Sequence, residues 1–207
     1  MMIPQHINQL ISKAGDIAKV MSLKVDRLRK NPDLPPEHRR WLFHGPRGVG
    51  KSTLAKLLAE QLAGHKLGVE HVNGQSVTID LVRHWRASGC YRPLFGEVQV
   101  KWVDEIDGAS TAALNELRTY LDNLPNGTVF LATTNKPLKE LQEQLQSRFQ
   151  HKEFRPATAE EIHAHLKAAL GLPHEAAWQI AANAKGDIRA AVVDGLDYLD
   201  CLAARAA

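Results

Sequence analysis

Nine consecutive residues, Gly45-Pro46-Arg47-Gly48-Val49-Gly50-Lys51-Ser52-Thr53, restrict the fold of this chain more than any other stretch. They satisfy Gly-x-x-x-x-Gly-Lys-Ser/Thr, with the apolar run Trp41-Leu42-Phe43 before them and the helix-period segment LAKLLAEQLA after them. Such a loop demands a strand that ends near His44 and a helix that opens at Lys51. Gly45, Gly48 and Gly50 are expected to let backbone N–H groups approach an anion with no Cβ in the way, and the helix N-terminus adds partial positive charge. Arg47, Val49 and Thr53 complete the loop. Lys51 is suited to the β and γ phosphates of a nucleoside triphosphate, and Ser52 to Mg²⁺. A chance glycine loop before a helix is the competing reading, and the strand–loop–helix setting disfavours it.

The rest of the chain repeats the alternation. VEHV precedes a helical pattern over 79–86, VQVKWVDEI one over 110–123, and VFLATT one over 138–146, while EFRP at 153–156 reads as a further strand. Strands spaced by helices of this length predict an α/β fold, a parallel sheet flanked by helices on both faces and joined by right-handed crossovers. Upstream, apolar residues from Ile7 to Met21 recur at helix spacing, so an amphipathic helix leads the chain. The basic residues Lys24, Arg27, Arg29 and Lys30 follow, and prolines at 32, 35 and 36 then break the pattern. Past Pro156 the periodicity is wholly helical, over 158–170, 175–184 and 187–204, with Gly171 and Gly186 as breakers. Three units result: a helix and proline-rich linker over 1–37, a nucleotide-binding α/β core over 38–156, and a small C-terminal helical lid over 157–207.

Composition excludes several classes. With 44% hydrophobic and 24% charged residues the chain is of ordinary globular make-up, no stretch suits a membrane span, and residues 1–10 lack the features of a signal peptide, so a cytoplasmic protein is expected. Cys90 and Cys201 have no spacing suited to zinc or a disulfide framework and are read as reduced thiols. The net charge of +3 is uneven: residues 1–51 carry ten Lys and Arg against four acids, which hints at an anionic partner. A solvated helix face explains that surplus equally well.

A phosphate loop needs acids on a neighbouring strand. The run Val98, Val100, Trp102 ends at Asp104 with Glu105 next, which suits Asp104 to hold Mg²⁺ with Ser52 and Glu105 to polarise an attacking water. VFLATTN ends a strand in Thr133, Thr134 and Asn135, where Asn135 could orient that water. Arg148 in LQSRF and Arg189 in KGDIRAAV are cations placed to complete such a site, although each taken alone reads as a surface residue.

In this order and at these separations, the phosphate loop, DEID, TTN, QSRF and GDIR resemble the AAA+ ATPases, and among them the clamp-loader small subunits of replication factor C and DNA polymerase III type. The resemblance covers residues 38–200. It implies ATP and Mg²⁺ as ligands, Lys51 and Ser52 as their contacts, Asp104 and Glu105 as the second acidic motif, and Asn135 as a first sensor. It also implies that Arg148 is a finger acting in a neighbouring subunit's site and that Arg189 is a second sensor in the lid, hence a homo- or hetero-oligomer. Two departures stand out, Phe149 in place of the Cys of the family's Ser-Arg-Cys and Arg47 in place of a common Pro, and a protein lacking the family's helical collar is expected.

The resemblance further implies DNA as a partner, held through its phosphate backbone without regard to sequence, and a sliding clamp as a candidate second partner. Arg83, Arg86 and Arg118 are the core residues suited to DNA, with a solvated helix face as the alternative for each. The expected function is a clamp-loader-like ATPase in DNA replication. A DNA-maintenance or recombination ATPase of the same family, or an ATP-gated assembly protein without productive turnover, stays open beside it. Small-molecule kinases also carry phosphate loops, but GDIR and the strand-end acid pair do not fit one.

Overall fold

In the computed structural model, which describes residues 6, 9–89, 91, 96 and 98–206, five strands form one sheet in the order β2-β3-β4-β1-β5. They are β1 Arg40–His44, β2 Val69–Asn73, β3 Gln99–Asp104, β4 Thr128–Thr134 and β5 Gln150–Glu153. Every pairing is parallel, with Trp41 beside Leu131, Val100 beside Val129 and Phe43 beside Lys152. All the strands therefore end at the same edge of the sheet, and the loops that leave them meet there.

Side-chain alternation assigns the two faces. Trp41, Phe43, Val100, Trp102, Val129 and Leu131 pack with helices α1 (Ser12–Lys30) and α2 (Lys51–Ala63). Leu42, Val103, Phe130 and Ala132 pack on the other side with α3 (Ile79–Ser88) and α4 (Thr111–Asp122). Burial on both faces explains the near-continuous apolar character of β1 and β4. A third cluster joins α6 (Ala159–Leu170), α7 (His174–Asn183) and α8 (Ile188–Ala206) around Ile162, Leu166, Ala177 and Ala191. Thr158 and Glu161 form a capping box at the start of α6, and Gly171 ends it in a left-handed turn.

Four local readings change. The leading helix begins at Ser12, with Leu10 and Ile11 in the approach to it, and Ile7 lies outside the described residues. Lys24, Arg27, Arg29 and Lys30 belong to that helix, whose last turn gains from cations facing its carbonyls. The helix expected over 138–146 divides into a 3₁₀ turn, Leu138–Glu140, and the single turn α5 (Glu143–Gln146), because Leu141 turns into the core between them in extended backbone. The last strand lies at Gln150–Glu153, with only Glu153 shared with EFRP; it is a polar edge strand whose position is set by pairing with Trp41–His44. Cys201 is an exposed free thiol, and Cys90 lies outside the described residues. No described helix is long and apolar enough to cross a membrane.

Candidate nucleotide-binding site

Strand order brings the chemistry together. Because β1 lies beside β4 and β4 beside β3, the phosphate loop after His44, Asn135 after Thr134, and the acids at the end of β3 converge at one edge. The loop bends through left-handed glycines, Gly48 at φ 74° and Gly50 at φ 94°, and α2 opens at Lys51. Gly48 has a second reason to be glycine: a Cβ there would sit 1.9 Å from the Asp187 carboxylate, which caps the first turn of α8 by accepting from Ala190 N–H at 2.9 Å. Gly45 differs from expectation. It does not line the cleft, and its φ of 140° lets the chain pass the Phe154 carbonyl, which a Cβ would meet at 2.2 Å.

Lys51 is 5% exposed. Its ammonium donates to the Pro46 carbonyl at 2.5 Å and to Asn135 Oδ1 at 2.9 Å. Burial pulls its pKa down from 10.5 to about 8, against the opposing pull of Asp104 and Glu105 and with help from the cations Arg189 and Arg47. Asn135 passes the contact on: its amide nitrogen donates to Glu105 Oε1 at 2.7 Å. Glu105 stands in left-handed backbone at φ 54°, which ends β3 and turns this carboxylate toward Asn135.

Ser52 donates to Asp104 Oδ1 at 2.7 Å, and the Thr133 hydroxyl donates to the same oxygen. Thr133 in turn accepts from the Glu105 N–H at 3.1 Å, so one buried hydroxyl fixes both acids. A serine hydroxyl beside a carboxylate is a hard-oxygen donor set of the kind Mg²⁺ takes, with water or substrate oxygens completing the shell. Ser52 and Asp104 thus fit that ion.

These groups floor a cleft of about 570 Å³. Arg47, Val49, Gly50 and Thr53 line it from the loop. Its other wall is apolar, made by Leu10, Ile11 and Ala14 at the start of α1 and by Ile188 and Val192 of α8. Arg189, from the same turn of α8, adds a cation, and His165 of α6 adds an imidazole whose pKa burial lowers from its ordinary value. A smaller cavity of about 310 Å³ adjoins the site, where Arg47, Glu105 and Asn135 meet Asn73, Asp107 and Lys136. Sequence patterns pointed to the polar floor. The apolar wall and His165 escaped them, since these residues lie more than 150 positions apart and meet only in the folded chain.

Arg148 lies elsewhere. It grips Asp122 with two parallel bonds of 2.8 and 2.7 Å and donates to the Gln144 carbonyl at 2.5 Å, so it does not line the cleft of its own chain. Arg83 and Arg86 converge on Glu116 at 3.9 and 2.9 Å, Arg83 also lies 3.9 Å from Asp80, and Arg118 bonds Asn115. Arg83 and Arg86, the residues expected to suit DNA, thus each face carboxylates of their own chain.

Among proteins of known sequence, 24% of 196 aligned residues are identical to the replication factor C large subunit of Thermococcus kodakarensis, over 92% of this chain and 38% of that protein. The DNA polymerase III subunit gamma of Buchnera aphidicola is 27% identical over 64% of this chain and 41% of its own length, and replication factor C subunit 4 of Encephalitozoon cuniculi is 34% identical over 58% and 36%. The chain thus spans less than half the length of these relatives. A solved structure of the Thermotoga maritima RuvB Holliday junction branch migration motor superposes with a TM-score of 0.79 at 21% identity, covering 99% of this chain and 67% of that one, so the fold is shared. Residues 41–157, more than half of the chain, match the ATPase family associated with various cellular activities (AAA), and the protein belongs to that family.

Proposed function

We propose that this protein binds ATP with Mg²⁺ and hydrolyses it as an oligomeric ATPase acting on DNA, in a clamp-loader-like role. The observation that carries the reading is the continuous chain of contacts from Lys51 through Asn135 to Glu105, beside the Ser52–Asp104 pair, on the floor of one cleft. Backbone N–H groups of residues 48–52 and the start of α2 would cradle the phosphates, and Lys51 would turn from the Pro46 carbonyl to the β and γ oxygens. Thr53, Arg47 and Val49 flank that cradle, and Leu10, Ile11, Ile188 and Val192 suit the flat apolar face of the base. Ser52 and Asp104 would hold Mg²⁺, which neutralises charge on the phosphate oxygens. Glu105 and Asn135 would hold a water between them, Glu105 taking its proton as Asn135 fixes its direction. Arg189 would close the lid onto the phosphates, and Arg148 would leave Asp122 to complete the site of a neighbouring subunit.

The clamp-loader reading draws on the names of the relatives, replication factor C and DNA polymerase III subunit gamma. RuvB, a branch migration motor by its name, supports a recombination ATPase as the second reading. One assay separates them: phosphate release measured with and without primed DNA and a sliding clamp, with Lys51→Ala as the blank. Stimulation that requires DNA and clamp together is expected. Stimulation by DNA alone selects the recombination reading, and an absence of hydrolysis under every condition overturns both.

A further inference from the structure

The C-terminal helices hold a cluster of rings that nucleotide chemistry does not use. His163 of α6 and His174 of α7 lie 11 positions apart, and the turn between their helices brings them together on the surface. His163 Nε2 stands 3.2 Å from His174 Nδ1, with the two ring planes at 87°. Trp178, one turn after His174 on α7, stacks on the His163 ring with 4.5 Å between centroids and 17° between planes, and meets His174 edge-on at 6.4 Å. The connection is fixed as well. Gly171 ends α6 in left-handed backbone, Leu172 is buried with the C-terminal helices, and Pro173 leads directly into α7.

As a hydrogen bond this contact achieves little, because both rings are open to water and exchange one solvated partner for another. As a pair of ligands it is well placed. Two nitrogens bound to one tetrahedral ion at about 2.0–2.1 Å stand about 3.3 Å apart, and the observed 3.2 Å matches that bite. The proton now shared by the rings would shift to an outward nitrogen, leaving Nε2 of His163 and Nδ1 of His174 as lone-pair donors. The neighbourhood selects the kind of ion. Among the described residues no third His, Cys, Asp or Glu joins the pair, and Lys167, one turn further along α6, is a cation that acts on His163. An ion held by charge on hard oxygens, such as Mg²⁺ or Ca²⁺, is disfavoured there, whereas one that bonds imidazole nitrogen fits.

We propose that His163 and His174 form a site for one divalent transition ion of the Zn²⁺ class, with water in the remaining positions, and that the ion fastens α6 to α7. Two protein ligands bind far more weakly than the four of a structural zinc site, so the ion comes and goes with its concentration and the helices fold without it. The site is separate from Ser52 and Asp104, whose hard oxygens suit Mg²⁺. The inference does not depend on ATP turnover.

The test uses the untagged chain in excess Mg²⁺, which competes for carboxylates and not for imidazoles. Calorimetric titration with Zn²⁺ is expected to show one ion bound per chain. His163→Ala and His174→Ala should each weaken that binding at least about tenfold, since loss of even a supporting partner costs a metal site that much. Ni²⁺, a quencher of indole fluorescence, reports the position: Trp41, Trp85 and Trp102 are at most 6% exposed in the core, so quenching falls on Trp178. Trp178→Phe should therefore abolish the quenching and leave Zn²⁺ bound. Amide exchange across the turn between α6 and α7 should slow with Zn²⁺ in the parent and in neither histidine variant. Unchanged thermal melting without metal shows that each variant is folded. Zinc binding that survives both histidine substitutions, quenching that persists in either variant, or exchange that Zn²⁺ leaves unaltered in the parent would overturn the site.

Discussion

The cleft around Lys51 and the corner around Arg148 are both built from charged groups at the ends of neighbouring elements, yet they differ in what they leave unfinished. Around Lys51 each polar group has a partner within reach of the phosphates: Asn135 joins Lys51 to Glu105, and Asp104 joins Ser52 to Thr133. Around Arg148 all three guanidinium nitrogens bond Asp122 and the Gln144 carbonyl, and nothing there lines a cavity with the phosphate loop. One region has its parts assembled within the chain. The other holds a cation in reserve, and in the proposed mechanism a second chain gives that cation its use.

The sharpest way to break this contrast is Arg148→Ala. ATP binding should survive, because the cleft is untouched, while turnover should fall at least about a thousandfold, the order expected for loss of a finger arginine. Mixing Arg148→Ala with Lys51→Ala should restore part of the turnover, since the second variant supplies the arginine that the first lacks and the first supplies an intact cleft. Phosphate release from each variant and from the mixture checks this. Full activity of Arg148→Ala, or silence in the mixture, would reduce the corner to a salt bridge that secures α4 to the end of α5.

A smaller loss tests the cleft itself. Glu105→Gln keeps the size of the side chain and an oxygen that still accepts from Asn135, so nucleotide affinity should stay near that of the parent. Turnover should drop by about 10²- to 10⁴-fold, the range for removal of a general base. Equilibrium titration with a fluorescent ATP analogue beside single-turnover hydrolysis separates the two effects. An equal loss of affinity and turnover would mean that Glu105 is needed to hold Asn135 and Lys51 in position.

The legible parts of this molecule are those whose physics is local. A glycine loop that must turn through positive φ before a helix is visible at Gly48 and Gly50 from spacing alone, and so are the acids that end the buried strand at Asp104 and Glu105. Where tertiary contacts decide, pattern fails. The strand β5 reads QHKE, a polar sequence with no strand signature, and forms because the edge of β1 offers it backbone partners. Gly45 looks like another phosphate glycine, yet its need arises from Phe154, more than 100 residues away. The pairing of Arg83 and Arg86 with Glu116 joins α3 to the adjacent helix, a contact that no reading of α3 alone could supply.

The last prediction concerns the protonation of Lys51, and it sets the two demands on the cleft against each other. Buried among the loop carbonyls, Lys51 loses its proton near pH 8, whereas in the unfolded chain it does so at its ordinary value of 10.5. Between these values the unfolded chain binds more protons, so the Lys51 contribution to stability rises with pH across about 8 to 10.5. The penalty for its buried charge is at its full value below that window. Triphosphate binding works in the opposite sense. Anionic oxygens favour the ammonium form, so above pH 8 the nucleotide must bring a proton with it, and affinity should fall by up to about tenfold per pH unit. Calorimetry at pH 7, 8 and 9 in two buffers of different ionisation enthalpy should show proton uptake growing through this range. Binding that is independent of pH across it would mean that Lys51 stays charged in the empty cleft. The acids Asp104 and Glu105 would then outweigh burial at this lysine.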